Sequence, residues 1–547
     1  GGYANSLGLA RYFQGDLQGA EQLIARAANI KARLAPGSPN VAATLHNLGL
    51  MQLERGKFRD AQAHYLAALE ISESRDPASL TVARTLNNLG SVALDQGDVE
   101  QAAYYHRRAL KIKQQQAPQS VDLAVTLTNL GNVERQRGRL KEAEQHCAAA
   151  QDIHQQIAPA VSSHAVAWSC LGATAEKRGD HDLAINRFLE SLRIHRELAP
   201  RGAGVAETAT RLGHLALGDN DREAAADYFD LAHVIVARLA PGTFREARAL
   251  HGLAEVKWLT GNTGAALEAF KQSIAALEAQ DGKAGGNQVS RASVHSRHHH
   301  IYSRFIELLL ELDLPERAFE ILERSRSKVL RDLLSQRSLA MDADIPADMA
   351  REQRILAYQY EKKQAELLSA KTTAEVDEMR VELFALRDQR ERLQQRIREE
   401  RPDFQAPTAI TPSDFDSLRR TIPQDAAVLS YSVAEAGLTL FIVSENGVLD
   451  VMHLPAEREY LEQAVQRFRL LMDAGRWDKQ PSDSLTQLSR ELYAELLAPA
   501  EDYIANASQI LVMPDGPLRV LPFAALQRTN GAGQTNGCEL NNSFFVD

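Results

Sequence analysis

The stretch Val41–Pro77, VAATLHNLGLMQLERGKFRDAQAHYLAALEISESRDP, decides the fold of most of this chain. Its Leu48-Gly49 pair recurs every 41 residues, as Leu7-Gly8, Leu89-Gly90, Leu130-Gly131, Leu171-Gly172 and Leu212-Gly213, then as Leu253-Ala254. The same step carries Gly56 to Gly15, Gly97, Gly138, Gly179 and Gly261, with Asn220 in the sixth slot. It carries Ala61 to Ala20, Ala102, Ala143, Ala184, Ala225 and Ala266, and Pro77 to Pro36, Pro118, Pro159, Pro200 and Pro241. A fixed period of this length marks an array of supersecondary units.

Each column has a physical reason. Val41–Glu54 and Phe58–Arg75 both show helical apolar periodicity. One helix pair cannot bury its apolar stripe alone, so neighbouring pairs stack. The small residue after Leu48 lets the helices of a pair approach closely. Gly56 falls where a left-handed C-cap suits only Gly or Asn, and Asn220 obeys that rule. The column Ala27, Ala68, Ala109, Ala150, Ser191, Ala232, Ser273 stays small, as close helix crossings need, and Pro77 stops the second helix.

Leu48, Gly49, Gly56, Ala61, Tyr65, Ala68 and Pro77 resemble the tetratricopeptide repeat (TPR). The longer spacing, with Leu86-Asn87-Asn88-Leu89-Gly90 and Ala109-Leu110-Lys111-Ile112, is similar to the kinesin-light-chain type. The fold expected is mainly α: a right-handed TPR solenoid over residues 1–282, in seven units. Its concave face is lined by the first helix of each pair. The residue before the Leu-Gly pair, which reads Ser6, Asn47, Asn88, Asn129, Cys170, Arg211 and Gly252, is expected to point into that groove. Asn47, Asn88 and Asn129 would form a ladder of amide donors and acceptors suited to an extended peptide backbone, with Arg211 further along. The competing reading is that these Asn bond the neighbouring repeat and are structural.

At 547 residues the chain needs several cores. A net charge of −10 argues against a nucleic-acid surface. No apolar run is long enough to span a bilayer. Three cysteines, Cys147, Cys170 and Cys538, make no disulfide framework, so a reducing, cytoplasmic setting is expected, with Cys147 and Cys170 as packing residues. The chain starts at Gly1-Gly2, already in phase, which reads as a fragment.

Residues 281–297 read as a polar link. His295 and His299 stand four apart but lack ligand partners, so His298-His299-His300 reads as a solvated helix face and no metal is expected. Tyr302–Arg337 is an irregular terminal helix pair within 283–340. Residues 341–401 are charged, with Val376, Met379, Leu383, Leu386, Leu393 and Ile397 at heptad spacing. They are expected to form an antiparallel hairpin turning near 371–375, a coiled coil used for spacing; one long helix is the alternative.

From Pro402 the pattern changes. Ala427–Val433, Leu438–Val443 and Val448–Leu454 read as strands, with Glu445-Asn446-Gly447 as a hairpin turn. Helices are expected over Glu457–Ala474 and Ser482–Asn506, then a buried strand Gln509–Met513. The succession ERSRSKVLRDLL, VLSYSV, LYAELLAPAEDYI and ILVMPDGPLRVLPFAAL resembles the start of a CHAT domain, the caspase-like, separase-related domain found behind TPR arrays in bacterial proteins. The resemblance implies that residues 402–547 are the N-terminal part of an α/β caspase-like domain. It implies a parent cysteine endopeptidase whose repeats recruit a protein partner and control it. A non-enzymatic TPR scaffold with a degenerate α/β domain is the alternative, and a kinesin-light-chain-like cargo adaptor a third. Such a protease needs a Cys thiolate and a His. Cys538 lies in a Gly/Asn-rich loop with no His after it, and the last histidine is His453. No catalytic residue is therefore assigned, and the fragment is expected not to cleave peptide bonds. Ser543–Asp547 reads as the start of a further strand. P-loop, GxGxxG and HExxH motifs are absent, and no cofactor is expected.

Overall fold

The computed structural model of the chain describes residues 1–13, 16–280, 288–337, 346–369, 415–420, 422–434, 437–444, 446–474, 483–505 and 507–528, with single helical positions between 379 and 397. Two compact units result. One comprises Gly1–Arg297 and Asp332–Pro407, the other His298–Arg331 and Thr408–Asp547. Cys538, the strand start at 543–547 and the turns expected at 371–375 and at Glu445 lie outside the described residues.

Fourteen helices in antiparallel pairs build the repeat array of the first unit. They are α1 (Gly2–Phe13), α2 (Leu17–Leu34), α3 (Pro39–Glu54), α4 (Phe58–Glu73), α5 (Leu80–Asp95), α6 (Val99–Gln116), α7 (Val121–Gln136) and α8 (Leu140–Ile157). They continue with α9 (Ser162–Arg178), α10 (His181–Leu198), α11 (Ala203–Gly218), α12 (Arg222–Leu239), α13 (Phe244–Leu259) and α14 (Thr263–Glu278). The turn within each pair from α3 onward is a left-handed cap. Gly56 has φ +69°, Asn220 +60°, and Gly97, Gly138, Gly179 and Gly261 lie between +76° and +87°. Lys57 N–H donates to Gln52 O at 2.8 Å and Gly56 N–H to Leu53 O at 2.9 Å, the paired bonds of a Schellman motif. Asp16, Asp98, Asp180, Asp221 and Asn262 then cap the second helices through side-chain oxygens.

The small-residue columns are where the helices cross. Ala61 and its six equivalents are all 0% exposed. The Leu-Gly column faces one large side chain of the paired helix. A Cβ on Gly49 would lie 2.9 Å from the Tyr65 ring, and one on Gly172 would lie 3.0 Å from that of Phe188. Gly172→Ala therefore overpacks its crossing and is expected to cost about 1–3 kcal/mol. A urea midpoint equal to wild type would show that the ring has room to shift.

In the same unit follow α15 (Gln288–Glu311), α16 (Pro315–Arg337) and α17 (Ala347–Ser369), the first two shared with the second unit. The polar link thus gives way to helix already at Gln288. Across from α17, Glu352 pairs with Arg396 at 3.2 Å and Lys363 with Glu382 at 2.5 Å, so the facing helical positions run in descending order. Met349, Leu356, Leu393 and Ile397 bury together between them.

The second unit is a four-stranded sheet in the order β3-β2-β1-β4, formed by β1 (Ala426–Val433), β2 (Leu438–Ser444), β3 (Gly447–Leu454) and β4 (Gln509–Met513). β1 pairs antiparallel with β2 and parallel with β4. A parallel pair needs a crossover, here carried by α19 (Arg458–Ala474) and α20 (Asp483–Leu496), which follow the short α18 (Phe415–Arg419). Leu429 and Tyr431 of β1 pack with Leu461, Phe468 and Leu492 from those helices. On the other face Phe441 meets Phe319 of α16, with ring centroids 5.9 Å apart. β1 is buried along its whole length, Ser430 and Ser432 included, as a strand covered on both faces is. The helix expected over 482–506 stops at Leu496. A 3₁₀ turn at Ala498–Ala500 and the short α21 (Glu501–Ile504) follow, because Pro499 has no N–H to continue the helix.

Candidate binding face of the repeat array

Residues four and seven apart share a helix face, so Asn47 lies in line with Glu54, Asn88 with Asp95, and Arg211 with Glu207. Charges from neighbouring repeats meet there. Arg248 lies 3.3 Å from Glu207, and Arg211 lies 3.9 Å from Glu207 and 3.7 Å from Glu176. Burial pushes the Glu207 carboxyl up, but Arg248, Arg211 and Arg245 outweigh it and hold it at about 2. Arg245 is raised above the usual guanidinium range against its burial, chiefly by Glu54, Glu207 and Asp95. Arg245 and these three partners come from four different repeats.

The three Asn are half-buried. Asn47 Nδ2 donates to Asn5 Oδ1 at 3.3 Å. Asn88 Nδ2 donates to Tyr65 OH at 3.2 Å and to His46 Nε2 at 3.3 Å. Thr85 Oγ1 already donates to Thr81 O, so His46 Nδ1 carries the proton that meets Thr85 at 3.2 Å, and its Nε2 is free to accept. Burial, helped by Arg84, lowers His46 to about 4, consistent with a neutral ring. Asn129 Nδ2 reaches Asn87 Oδ1 at 3.2 Å and Ser91 Oγ at 3.4 Å. Every one of these donors is committed to the preceding repeat. The Oδ1 atoms of Asn47, Asn88 and Asn129 accept no hydrogen bond among the described residues. Arg211 is set apart from the ladder. It lies with the charged group, its guanidinium 5.8 Å from the centroid of the Phe188 ring.

Several side chains of this array escape sequence reasoning. Cys147 and Cys170 are joined as a disulfide with Cα atoms 5.9 Å apart, rather than packing separately. Cys147 stands where other units carry Tyr65 or Phe188 beside the glycine. The sulfur of Cys170 from the next repeat fills the vacated space, so a Cβ on Gly131 would meet both. A second column, Lys31, Ser72, Lys113, His154 and His195, places polar groups between units. Lys113 Nζ donates to Asp122 O and Thr126 Oγ1, each at 2.8 Å. The signal was present as a column at the same period, but its polarity hides that it is buried. The charges Glu54, Glu207, Arg245 and Arg248 were likewise in register with the Asn column.

In the second unit His299 is not on a solvated face. Its Nε2 lies 3.6 Å from the buried carboxylate of Asp515. Asp515 accepts from Val433 N–H at 3.1 Å and from Arg519 at 3.2 Å. Burial raises its carboxyl, yet His299, Arg326, Val433 N–H and Arg519 together bring it below the usual range. No group of three or more metal-ligating side chains exists among the described residues. None of their helices is long and apolar enough to cross a membrane.

The tetratricopeptide-repeat family model matches residues 3–74, 58–115, 81–156 and 163–233. A search of curated proteins found no match. Among solved structures, BtubC (BKLC) from P. vanneervenii is 19% identical, with 41% of this chain and 91% of that one covered and a TM-score of 0.34. A Rap protein complexed with competence and sporulation factor is 14% identical over 60% and 97%, with a TM-score of 0.41. A putative kinesin light chain from Podosopora anserina is 16% identical over 37% and 93%, at 0.29. With the period, the capped turns and the stacked helix pairs, the family match shows that residues 3–233 form tetratricopeptide repeats.

Proposed function

We propose that the inner face of the array binds an extended segment of a partner protein, with Asn47, Asn88 and Asn129 each accepting one main-chain N–H and Arg211 meeting an acidic or carboxylate group. One observation carries this reading: each amide is held by the repeat before it, while its Oδ1 has no donor among the described residues. Fixed acceptors at one-repeat spacing cost little ordering on binding. Peptides selected against the whole chain by display provide the test. Changing all three Asn to Ala is expected to weaken the selected peptides at least tenfold, since each good hydrogen bond is worth about 0.5–1.5 kcal/mol. Unchanged affinity in calorimetry would remove the ladder.

We read the second unit as the N-terminal part of a caspase-like CHAT domain, and the parent protein as a cysteine endopeptidase governed by its repeats. The resemblance of Pro514-Asp515-Gly516 and Leu521-Pro522-Phe523 motivates this, and a mixed sheet with a parallel β1/β4 pair is compatible with it. The alternative is a scaffold without chemistry. A thiol-directed peptide electrophile separates them. Covalent labelling of the parent protein at a cysteine other than Cys147, Cys170 and Cys538 supports the protease, and absence of such labelling supports the scaffold.

A further inference from the structure

The second and seventh repeats touch across the superhelical turn. Phe244, at the start of α13, stacks on Phe58 of α4 with ring centroids 6.1 Å apart. Arg245 Nη1 lies 3.2 Å from Glu54 Oε2. Gln280 is buried, its Nε2 donating to Gly242 O, and its Oε1 stands where a Cβ on Gly56 would be. The contact is built from side chains that are 186 residues or more apart in sequence, where Phe58 meets Phe244.

The charged part suits a contact that opens. Glu54 and Arg245 retain 27% and 41% exposure, so water can replace their pairing. Curvature of such an array comes from small rotations between neighbouring units, and a slight change in each separates the ends of a turn widely. The alternating positions also make the contact sensitive to charge, because Asp95 and Glu207 lie in the same electrostatic neighbourhood as Glu54. An acidic residue in place of Arg245 would face like charges.

We propose that this contact is a latch between the second and seventh repeats that gates entry to the inner face. The proposal rests on the reading of that face as the partner site. The test uses the whole chain with azide-bearing residues at the exposed positions Asp60 and Pro241, coupled to a donor and an acceptor dye. The wild type is expected to show high energy transfer without any ligand. Phe244→Ala with Arg245→Glu is expected to lower it, and Glu54→Arg with Arg245→Glu to restore it, which excludes mere unfolding. In the open variant the display-selected peptide should associate several-fold faster. Low transfer in the wild type, or transfer insensitive to the variants, would overturn the latch, as would an unchanged association rate in a variant that has opened. Failure of the partner-site reading shows separately, as unchanged affinity when the three Asn are replaced.

Discussion

Lowering the pH from 7 to 5 is expected to cost the repeat array about 4–6 kcal/mol of stability, through two buried histidines and one half-buried one. His106 is completely buried and lowered to about 3 by that burial, with Lys113 adding to it. His154 is also inaccessible and lowered to about 4, by burial and by His164. His46 is held near 4. Each is neutral in the fold but takes up a proton near pH 6.5 when unfolded. The stability they contribute is therefore complete above pH 6.5 and lost as pH falls from there towards 4. At pH 5 each histidine costs about 2 kcal/mol, at 1.36 kcal/mol per unit, with His46 contributing less because it is only half-buried. The check is urea unfolding followed by circular dichroism at both values. His106→Phe should remove its share, since Phe188, Phe229 and Phe270 occupy the same slot in other units. Asn87 Oδ1, which His106 Nδ1 meets at 3.1 Å, still receives Thr126 and Asn129. A pH-independent midpoint would contradict the burial of these rings.

Arg326→Met is expected to destabilise the second unit by about 3–5 kcal/mol, the cost of removing one partner from a buried ion pair. Arg326 joins α16 to the ends of two parallel strands. Its guanidinium donates to Ser430 Oγ at 2.6 Å, to Tyr431 O at the end of β1 and to Met513 O at 3.3 Å at the end of β4, and it pairs with Glu323 at 2.7 Å. Burial raises the Glu323 carboxyl and Arg326 offsets part of that rise, so the variant leaves a carboxyl and two carbonyls without their donor. Arg326→Lys should recover less than half, because an ammonium cannot span the two strand ends as a planar fork does. Thermal unfolding by near-ultraviolet dichroism reads both. A melting point within 2 °C or so of wild type for Arg326→Met would show that the strands do not depend on it.

Local signals were legible in the sequence, and long-range side-chain pairing was not. The period, the capped turns at Gly56 and Asn220, the small columns at Ala61 and Ala68 and the strand runs each depend on neighbours within one or two elements. Their physics is written in adjacent residues. Pro499 is visible too, and its missing N–H is what ends the helix at Leu496. What stayed hidden depends on how units sit on each other. The Cys147–Cys170 pair requires knowing that one repeat leaves a void that the next one fills. The Phe58–Phe244 contact follows from rotations accumulated over five units, which no column records. The contact of His299 with Asp515 joins residues more than two hundred positions apart. At the candidate face, the Asn register was readable, but the division of each amide into a committed nitrogen and an available oxygen required coordinates.

The most direct measurement is a crystal structure of the chain bound to a display-selected peptide. The account predicts an extended peptide along α3, α5 and α7, with main-chain N–H groups within hydrogen-bonding distance of Oδ1 of Asn47, Asn88 and Asn129. A peptide seated on the outer helices α4, α6 and α8, with those three oxygens facing only water, would contradict it.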